Sequence, residues 1–244
     1  MKRFGLIGKK LSHSFSPPYF NQKFQNLGLT GYRYDSFELN SIDEINEVFA
    51  IKELVGLNVT IPYKTAVIDF LDDLDQSARA VGAVNVIKIE GSKRIGYNTD
   101  VTGFSESLHR WLPSSQANYK ALIFGSGGAS MAVRSALHTL NISYKIVSRT
   151  PNRGELSYIG ANEYLDTHLL LINTTPLGMY PHVNQAPHID YSKIGNQHYL
   201  YDLIYNPEKT LFLQHGESRG AQIKNGLDML HIQAEESFTI WTKD

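Results

Sequence analysis

Six residues, Gly125-Ser126-Gly127-Gly128-Ala129-Ser130, form the first stretch whose types and spacing could do chemistry. They follow the apolar run Ala121-Leu122-Ile123-Phe124 and open a segment whose apolar residues Val133, Ala136, Leu137 and Leu140 keep helical spacing. Strand, glycine loop, helix is the setting in which such a loop receives a pyrophosphate. Glycines let the backbone come close, and the helix N-terminus offers unpaired N–H groups and a positive dipole end. Without a ligand, the same stretch reads as a tight strand-to-helix turn, and Ser130 stands where such loops usually carry a third glycine. An NAD-binding unit places an acid on the adenosine ribose about 20 residues further on. Here the chain has Ser148-Arg149-Thr150, followed by Arg153. A carboxylate would repel a ribose 2′-phosphate; two guanidiniums and two hydroxyls would hold it. The predicted cofactor is therefore NADP rather than NAD.

A second group lies in the first half of the chain. Val55, Leu57, Val59 and Ile61 alternate with Gly56, Asn58 and Thr60, so the spacing predicts a strand with Asn58 and Thr60 on one face. Pro62 ends it, and Lys64 lies just beyond. Two polar residues near a strand's C-terminal end suit a ligand crevice in an open α/β sheet. Lys64 and Asp100 are the candidate acid–base pair, although each alone reads as a surface lysine and a helix-start acid. Asn85 and Asn98 join them at strand ends or loops, a set that suits a small polyhydroxylated ligand. Ser14 and Ser16 could donate hydroxyls to a carboxylate, or serve as turn and cap residues. The nine histidines show no metal-ligand spacing, and the chain has neither a Gly-x-x-x-x-Gly-Lys-Ser/Thr phosphate loop nor a Gly-x-Ser-x-Gly elbow. No metal site is predicted.

The elements that must position these residues can be read from 244 residues of ordinary globular composition, 42% hydrophobic and 19% charged. With 23 basic and 24 acidic residues the net charge is −1, which argues against gripping nucleic acid. The absence of cysteine excludes disulfides, iron–sulfur clusters and a thiol nucleophile, and fits a reducing cytoplasm. No run is apolar enough for a membrane span, and the basic-then-apolar start is too short for a signal peptide and reads as a first strand. A helix capped by Ser16, with Pro17 at its first position, should run to Gly28. Further expectations are a strand over Gly31 to Leu39, a helix over Ile42 to Lys52, and a solvated helix end over Asp69 to Asp75. Strands over Asn85 to Ile89 and Arg94 to Tyr97 should flank a turn, and a helix should start at Asp100. Pro113 to Ala117 reads as a connector. Beyond the glycine loop, strands are expected over Tyr144 to Val147, Leu169 to Ile172 and Tyr199 to Leu203. Helices should cover Glu208 to Ser218 and Leu227 to Trp241, the latter with Leu227, Leu230, Ala234, Phe238 and Trp241 on its apolar side. The pattern is α/β in two domains divided near Asp100, and periodicity leaves open which domain holds the last helix.

Taken in order, these motifs resemble the shikimate dehydrogenase family over nearly the whole chain. Ser12-His13-Ser14-Phe15-Ser16-Pro17 is similar to its Ser-x-Ser substrate loop. Asn58-Val59-Thr60-Ile61-Pro62-Tyr63-Lys64 resembles its Asn-Val-Thr-x-Pro-x-Lys segment. Gly82-Ala83-Val84-Asn85, Asn98-Thr99-Asp100, Gly125 to Ser130, Ser148-Arg149-Thr150, Asp202-Leu203-Ile204-Tyr205 with Thr210, and Asn225-Gly226-Leu227 through Gln233 continue the series. The resemblance implies NADP-linked interconversion of 3-dehydroshikimate and shikimate, a step of chorismate and aromatic amino-acid biosynthesis. It implies that Ser14, Ser16, Thr60, Asn85, Asp100, Tyr205 and Gln233, with Asn58 beside them, hold the substrate, and that Lys64 and Asp100 serve catalysis. It further implies cofactor contacts from Gly125, Ser126, Gly127, Gly128, Ala129, Ser148, Arg149, Thr150, Arg153, Thr174 and Gly226. The implied fold is an N-terminal α/β substrate domain, 1–99, joined by 226–244, and a Rossmann-like NADP-binding domain, 100–225, with the C-terminal helix packing back on the substrate domain. Ser148 replaces the family's usual Asn, and the chain stops soon after Trp241 where many members continue, so lighter domain packing is expected.

In the implied reaction the substrate lies between the domains, and closing the cleft should exclude water. The expected partner is this small molecule alone, in a monomer or homodimer with no nucleic acid or membrane. The alternatives are a quinate/shikimate dehydrogenase with relaxed substrate or cofactor use, and a non-catalytic NADP-binding sensor. A sensor would be expected to have lost the Lys or the Asp, and Lys64 and Asp100 are both present.

Overall fold

The computed structural model describes residues 1–12, 14–113 and 118–243. His13 and most of the expected connector, from Ser114 to Ala117, lie outside the described residues. The chain divides into two compact units, Met1–Asp100 with Gln233–Asp244, and Val101–Ile232.

The first unit is built on a six-stranded mixed sheet. Its elements are β1 (Lys2–Gly8), α1 (Ser16–Asn26), β2 (Tyr32–Glu38), a 3-10 turn at Ile42–Glu44 leading into α2 (Ile45–Phe49), and β3 (Leu54–Val59). A 3-10 turn at Ala66–Phe70, β4 (Asp73–Leu74), α3 (Gln76–Val81), β5 (Val86–Glu90) and β6 (Lys93–Tyr97) follow. The strand order is β2-β1-β3-β5-β6-β4. β1 is parallel to both β2 and β3, whereas β5 runs antiparallel to β3 and to β6. Both faces are covered. Ile7, Leu57 and Val59 pack with Ile45, Val48, Val67 and Ala78 on one side. Phe4 and Leu6 pack with Phe20, Phe24, Ala234 and Trp241 on the other. Ala234 and Trp241 belong to the last helix, which runs over Leu227–Thr242.

Several local expectations change for identifiable reasons. Phe15, not Ser16, occupies the cap position of α1, and no side chain caps that helix. The second and third helical residues are Pro17 and Pro18, which have no N–H for a capping oxygen to accept. Asp69 to Asp75 is not a solvated helix end. Asp73–Leu74 pairs with β6 at the sheet edge, and Asp75 caps α3 by accepting from Ser77 N at 2.8 Å. β3 ends at Val59 rather than Ile61, and both its faces are buried, so Asn58 is a polar residue within a packed surface. The last helix buries Gln233, Ala234, Ser237 and Trp241, while Leu227 is exposed.

The second unit begins with α4, a helix over Asp100–Trp111 whose first residue belongs to the first unit. β7 (Lys120–Phe124), α5 (Gly128–Thr139), β8 (Ser143–Val147), α6 (Tyr158–Ala161), β9 (Leu170–Asn173), β10 (Tyr199–Asp202), α7 (Leu211–Glu217) and β11 (Gln222–Lys224) follow, and the last helix is α8. The five strands are parallel in the order β11-β10-β9-β7-β8. This is a doubly wound sheet whose strand order reverses between β7 and β9, the place where such sheets open a crevice at their C-terminal ends. Its central strands are buried on both faces, which is why they read as unbroken apolar runs. β11 carries two polar residues in three, so nothing in its pattern announced a strand. α7 starts at Leu211, later than expected, because the Thr210 hydroxyl caps it by accepting from Leu213 N at 3.4 Å.

The loops at those C-terminal ends are tied by a buried carboxylate. Asp202 Oδ1 accepts from Asn173 Nδ2 at 3.1 Å and from Ile204 N at 3.0 Å, and Oδ2 accepts from the Thr210 hydroxyl at 2.6 Å. Asn173 Oδ1 in turn accepts from Thr175 N and its hydroxyl, which fixes the turn after β9. No cation pairs with Asp202 among the described residues, and burial pushes its carboxyl up from 3.8 to about 6 against the pull of these donors. Among the described residues no helix is long and apolar enough to cross a membrane.

Two predictions follow from this packing. Gly56 faces the Trp241 ring so closely that a methyl would overlap it. Gly56→Ala should destabilise the first unit by about 1–3 kcal/mol, read from a urea melt followed by tryptophan fluorescence. The raised carboxyl of Asp202 makes its contribution to stability largest below its unfolded value and lost as pH rises through about 6. Asp202→Asn, which keeps one acceptor oxygen for Asn173 Nδ2 and Ile204 N, loses the acceptor of the Thr210 proton and removes the titrating charge, should therefore lose less stability than the parent between about pH 4 and about pH 8. Equal losses in the two proteins would refute a raised Asp202.

Candidate active site

In the first unit, the turn after β3 and the start of α4 bring Lys64 and Asp100 together. The backbone around Lys64 is anchored: its carbonyl accepts from Val84 N at 2.7 Å, and the neighbouring Tyr63 hydroxyl donates to Leu39 O at 2.6 Å. Asp100 opens α4, where a negative charge meets the positive end of the helix dipole. Asn98 sets its backbone, accepting from Asp100 N at 3.1 Å while donating to Ala83 O at 2.9 Å. Lys64 Nζ donates to Asp100 Oδ2 at 2.6 Å, with the two side chains 28% and 16% exposed. The pair is thus shielded but reachable. An ammonium held by a carboxylate, with access to solvent, can donate a proton to an oxygen brought against it.

The other oxygen of Asp100 is held by Asn85. Asn85 Nδ2 donates to Asp100 Oδ1 at 2.9 Å and to the Thr99 hydroxyl at 3.0 Å, while its Oδ1 accepts from Thr99 N at 2.8 Å. Asn58 is similarly engaged: Nδ2 donates to Ser237 Oγ at 3.1 Å and to Asn85 O at 3.3 Å, and Oδ1 accepts from the Tyr34 hydroxyl at 2.7 Å. Asn58 and Asn85 were expected to meet a ligand directly. They are 5% and 3% exposed, and both amide hydrogens of each bond inside the protein, so each also orients the residues around it. Burial raises the Tyr34 hydroxyl well above its ordinary range against a hydrogen bond from Ser16, so it stays protonated and remains a donor.

Ser14, Ser16 and Thr60 are partly exposed, as a ligand contact requires. The loop before α1 is pinned at Leu11, whose N–H donates to the Glu38 carboxylate at 2.7 Å, and by Ser14 N donating to Leu11 O at 3.0 Å. The Gln233 side chain lies on the buried side of α8, 3.5 Å from the Thr99 hydroxyl. Tyr205 belongs to the second unit, half-buried beyond β10, and burial raises its hydroxyl. Sequence reasoning missed Tyr34 and Ser237. Tyr34 was one aromatic among many in a strand, and Ser237 was a small polar residue on a helix read for its apolar side.

In the second unit the glycine loop separates into glycines that the fold requires and glycines that it does not. Gly125 has φ +109°, and a methyl there would stand 2.7 Å from Thr174 Oγ1. That hydroxyl in turn donates to Phe124 O at 2.8 Å. Gly226 likewise has no room for a side chain, since a methyl would run into the Leu203 carbonyl. Gly127 and Gly128 differ: Gly127 is extended, Gly128 begins α5, and a methyl on either would meet nothing within 4 Å. The protein's own packing gives no reason for glycine at these two positions. A ligand lying on the N-terminus of α5 does. Ser130, in place of the third glycine, is buried and donates back to Gly127 O at 2.6 Å, which closes the loop. Ser126 and Ala129 are exposed beside it.

The basic turn after β8 is ordered by Ser148, whose hydroxyl accepts from Thr150 N and donates to Thr150 O, each at 3.3 Å. Arg149, Thr150 and Arg153 are exposed, and neither guanidinium forms an ion pair among the described residues. Two exposed guanidiniums without acids suit a phosphate monoester. Among the described residues no group of three His, Cys, Asp or Glu could hold a metal ion.

Comparison with known proteins places these sites in a family. A model described as the shikimate dehydrogenase substrate binding domain matches residues 6–87, the span that contains Ser14, Lys64 and Asn85. The shikimate dehydrogenase (NADP(+)) of Methanococcus maripaludis is 37% identical over 99% of this chain and 92% of its own length. Its counterpart from Bacillus subtilis is 34% identical over 99% and 91%. The crystal structure of the Thermus thermophilus shikimate 5-dehydrogenase in complex with NADP(H) and shikimate is 29% identical, covers 99% of this chain and 94% of that one, and has a TM-score of 0.87. With ordered motifs, fold and full-length similarity in agreement, the chain belongs to the shikimate dehydrogenase family.

Proposed function

We propose that this protein is an oxidoreductase that interconverts 3-dehydroshikimate and shikimate with NADP, a step of the shikimate pathway toward chorismate and the aromatic amino acids. The observation that carries the reading is the shielded Lys64–Asp100 pair, braced by Asn85 within the segment that matches the family's substrate binding domain. The relatives named shikimate dehydrogenase (NADP(+)) and the relative solved with NADP(H) and shikimate support it. The open space over Gly127 and Gly128 fits the pyrophosphate of that cofactor.

The cofactor, when bound, would carry the hydride, giving it up in its reduced form and accepting it in its oxidised form. The chain's own residues have the remaining tasks. Ser14 and Ser16 present hydroxyls to the substrate carboxylate, and Thr60 faces the same ligand. Asp100 accepts a hydrogen bond from a ring hydroxyl while keeping the Lys64 ammonium aimed at the carbonyl oxygen. Lys64 donates a hydrogen bond to that oxygen as negative charge develops and then gives it a proton; in the reverse direction it takes the proton back. Gln233 adds a polar contact to the substrate. In the second unit, Gly125 through Ala129 line the pyrophosphate, Thr174 and Gly226 shape the adjacent backbone, and Ser148 holds Arg149, Thr150 and Arg153 for the ribose 2′-phosphate. A monomer or homodimer in the cytoplasm suits a cysteine-free enzyme with a small soluble substrate.

The decisive assay follows absorbance at the NADPH band with shikimate or quinate and with NADP or NAD. Shikimate with NADP should be the best pair; a preference for quinate would make the protein a quinate dehydrogenase of the same fold. Lys64→Ala should stay folded and bind both ligands, yet turn over at least about 10²-fold more slowly with little change in the Michaelis constants. Wild-type turnover in that variant would return Lys64 to the surface lysines. Arg149→Ala should weaken NADP by about 1.5–3 kcal/mol, the size of a charge-assisted phosphate contact, and leave NAD nearly untouched. An equal loss for both cofactors would refute the clamp.

A further inference from the structure

Behind the acid–base pair stands a residue of α8 that touches neither member. The Ser237 hydroxyl is completely buried and donates to the Gln233 carbonyl, one turn earlier, at 2.7 Å. A hydroxyl has a single proton, so with that proton on Gln233 O the Ser237 oxygen can only accept. Two groups face it, Asn58 Nδ2 at 3.1 Å and the Thr99 hydroxyl at 3.4 Å. That oxygen offers the Thr99 proton an acceptor on α8; the alternatives are Asn85 Oδ1, also at 3.4 Å, and the Gln233 side-chain oxygen at 3.5 Å. Thr99 is then left with lone pairs toward Asn85 Nδ2 at 3.0 Å. Together with Thr99 N, which donates to Asn85 Oδ1 at 2.8 Å, this keeps the donor end of the Asn85 amide on the side of Asp100, which receives its second hydrogen at 2.9 Å. Reversing the amide would set its oxygen against the Asp100 carboxylate.

We propose that Ser237 is a positioning residue for the reaction: its acceptor-only hydroxyl fixes the direction of the Thr99 hydroxyl and so keeps the Asn85 amide donating to Asp100. The proposal rests on the assignment of Lys64 and Asp100 to the chemistry. It also accounts for a polar residue at a fully buried helix position, where alanine would have the better helix propensity.

The test compares Ser237→Ala, Thr99→Val and the double variant with Thr239→Ala as control. Thr239 makes the same hydrogen bond to the preceding turn, to Glu235 O at 3.1 Å, but on the exposed side of α8. Ser237→Ala should lower turnover of shikimate about tenfold, the loss expected for one hydrogen bond, and leave the Michaelis constant for NADP unchanged. Thr239→Ala should match the parent. Because Ser237 acts through Thr99, the double variant should be no slower than the slower single variant. The side-chain amide resonances of Asn85 in the NMR spectrum should shift in Ser237→Ala and not in Thr239→Ala. Parental turnover in Ser237→Ala, multiplied losses in the double variant, or unmoved Asn85 resonances would each overturn the proposal. If the parent itself fails to turn over shikimate, the functional reading fails, and the Asn85 resonances still decide the role of Ser237.

Discussion

A buried side-chain amide has a fixed polarity, and the first unit is organised around that constraint. Asn58, Asn85 and Asn98 are each at most 5% exposed, and each must find acceptors for its N–H groups and a donor for its oxygen. The strands and turns that surround them meet those demands. Asn98 and Asn85 both join the turn before β5 to the start of α4, and Asn58 joins β3 to β2 and α8. Among the described residues no buried side-chain nitrogen or oxygen lacks a partner. A half-satisfied network would destabilise more than an apolar core, so the complete one specifies a single arrangement of these elements.

The network also separates two kinds of polar residue that look alike in a sequence. Asn58 and Asn85 face inward with every amide hydrogen committed, whereas Lys64 and Asp100 are bound to each other and remain partly exposed. Chemistry needs both kinds. A proton donor must be reachable, and the groups that aim it must not be free to turn toward solvent or substrate. Aromatic packing on the same side of the sheet supplies stiffness, with Phe4, Phe20 and Tyr34 each in ring contact with Trp241 and Trp241 Nε1 donating to Ile87 O at 3.0 Å.

The second unit obeys a different constraint, the emptiness required over a helix N-terminus. Gly125 and Gly226 are glycine because protein atoms press on them, and Gly127 and Gly128 although none do. Asp202, buried and without a cation partner among the described residues, ties together the loops that follow β9 and β10. Its desolvation is opposed by three donors, and it illustrates how a parallel sheet fixes its C-terminal loops with side chains the periodic pattern does not announce.

The sequence by itself determined the family, the α/β class and the order of most elements, and it singled out Lys64, Asp100, Arg149 and the glycine loop as candidates. These rest on local signals: residue type, period and spacing along the chain. It could not determine which polar residues face inward. The burial of Asn58 was not legible, because alternation tells which residues share a face, not whether that face is buried. Ser16 read as a cap, but the helix begins one residue earlier, with Tyr19 N donating to Phe15 O, and Pro17 and Pro18 then leave no N–H at its second and third positions. Asp69 to Asp75 became an edge strand and a cap only through pairing with β6, a partner about 20 residues away. Ser237 and Tyr34 acquire meaning only when α8, more than 130 residues beyond Thr99, is packed against β3 and the start of α4. Tertiary structure decided these points because a hydrogen-bond partner is a fact about distance in space, and residue spacing encodes that distance only within a helix turn, a strand or a tight loop.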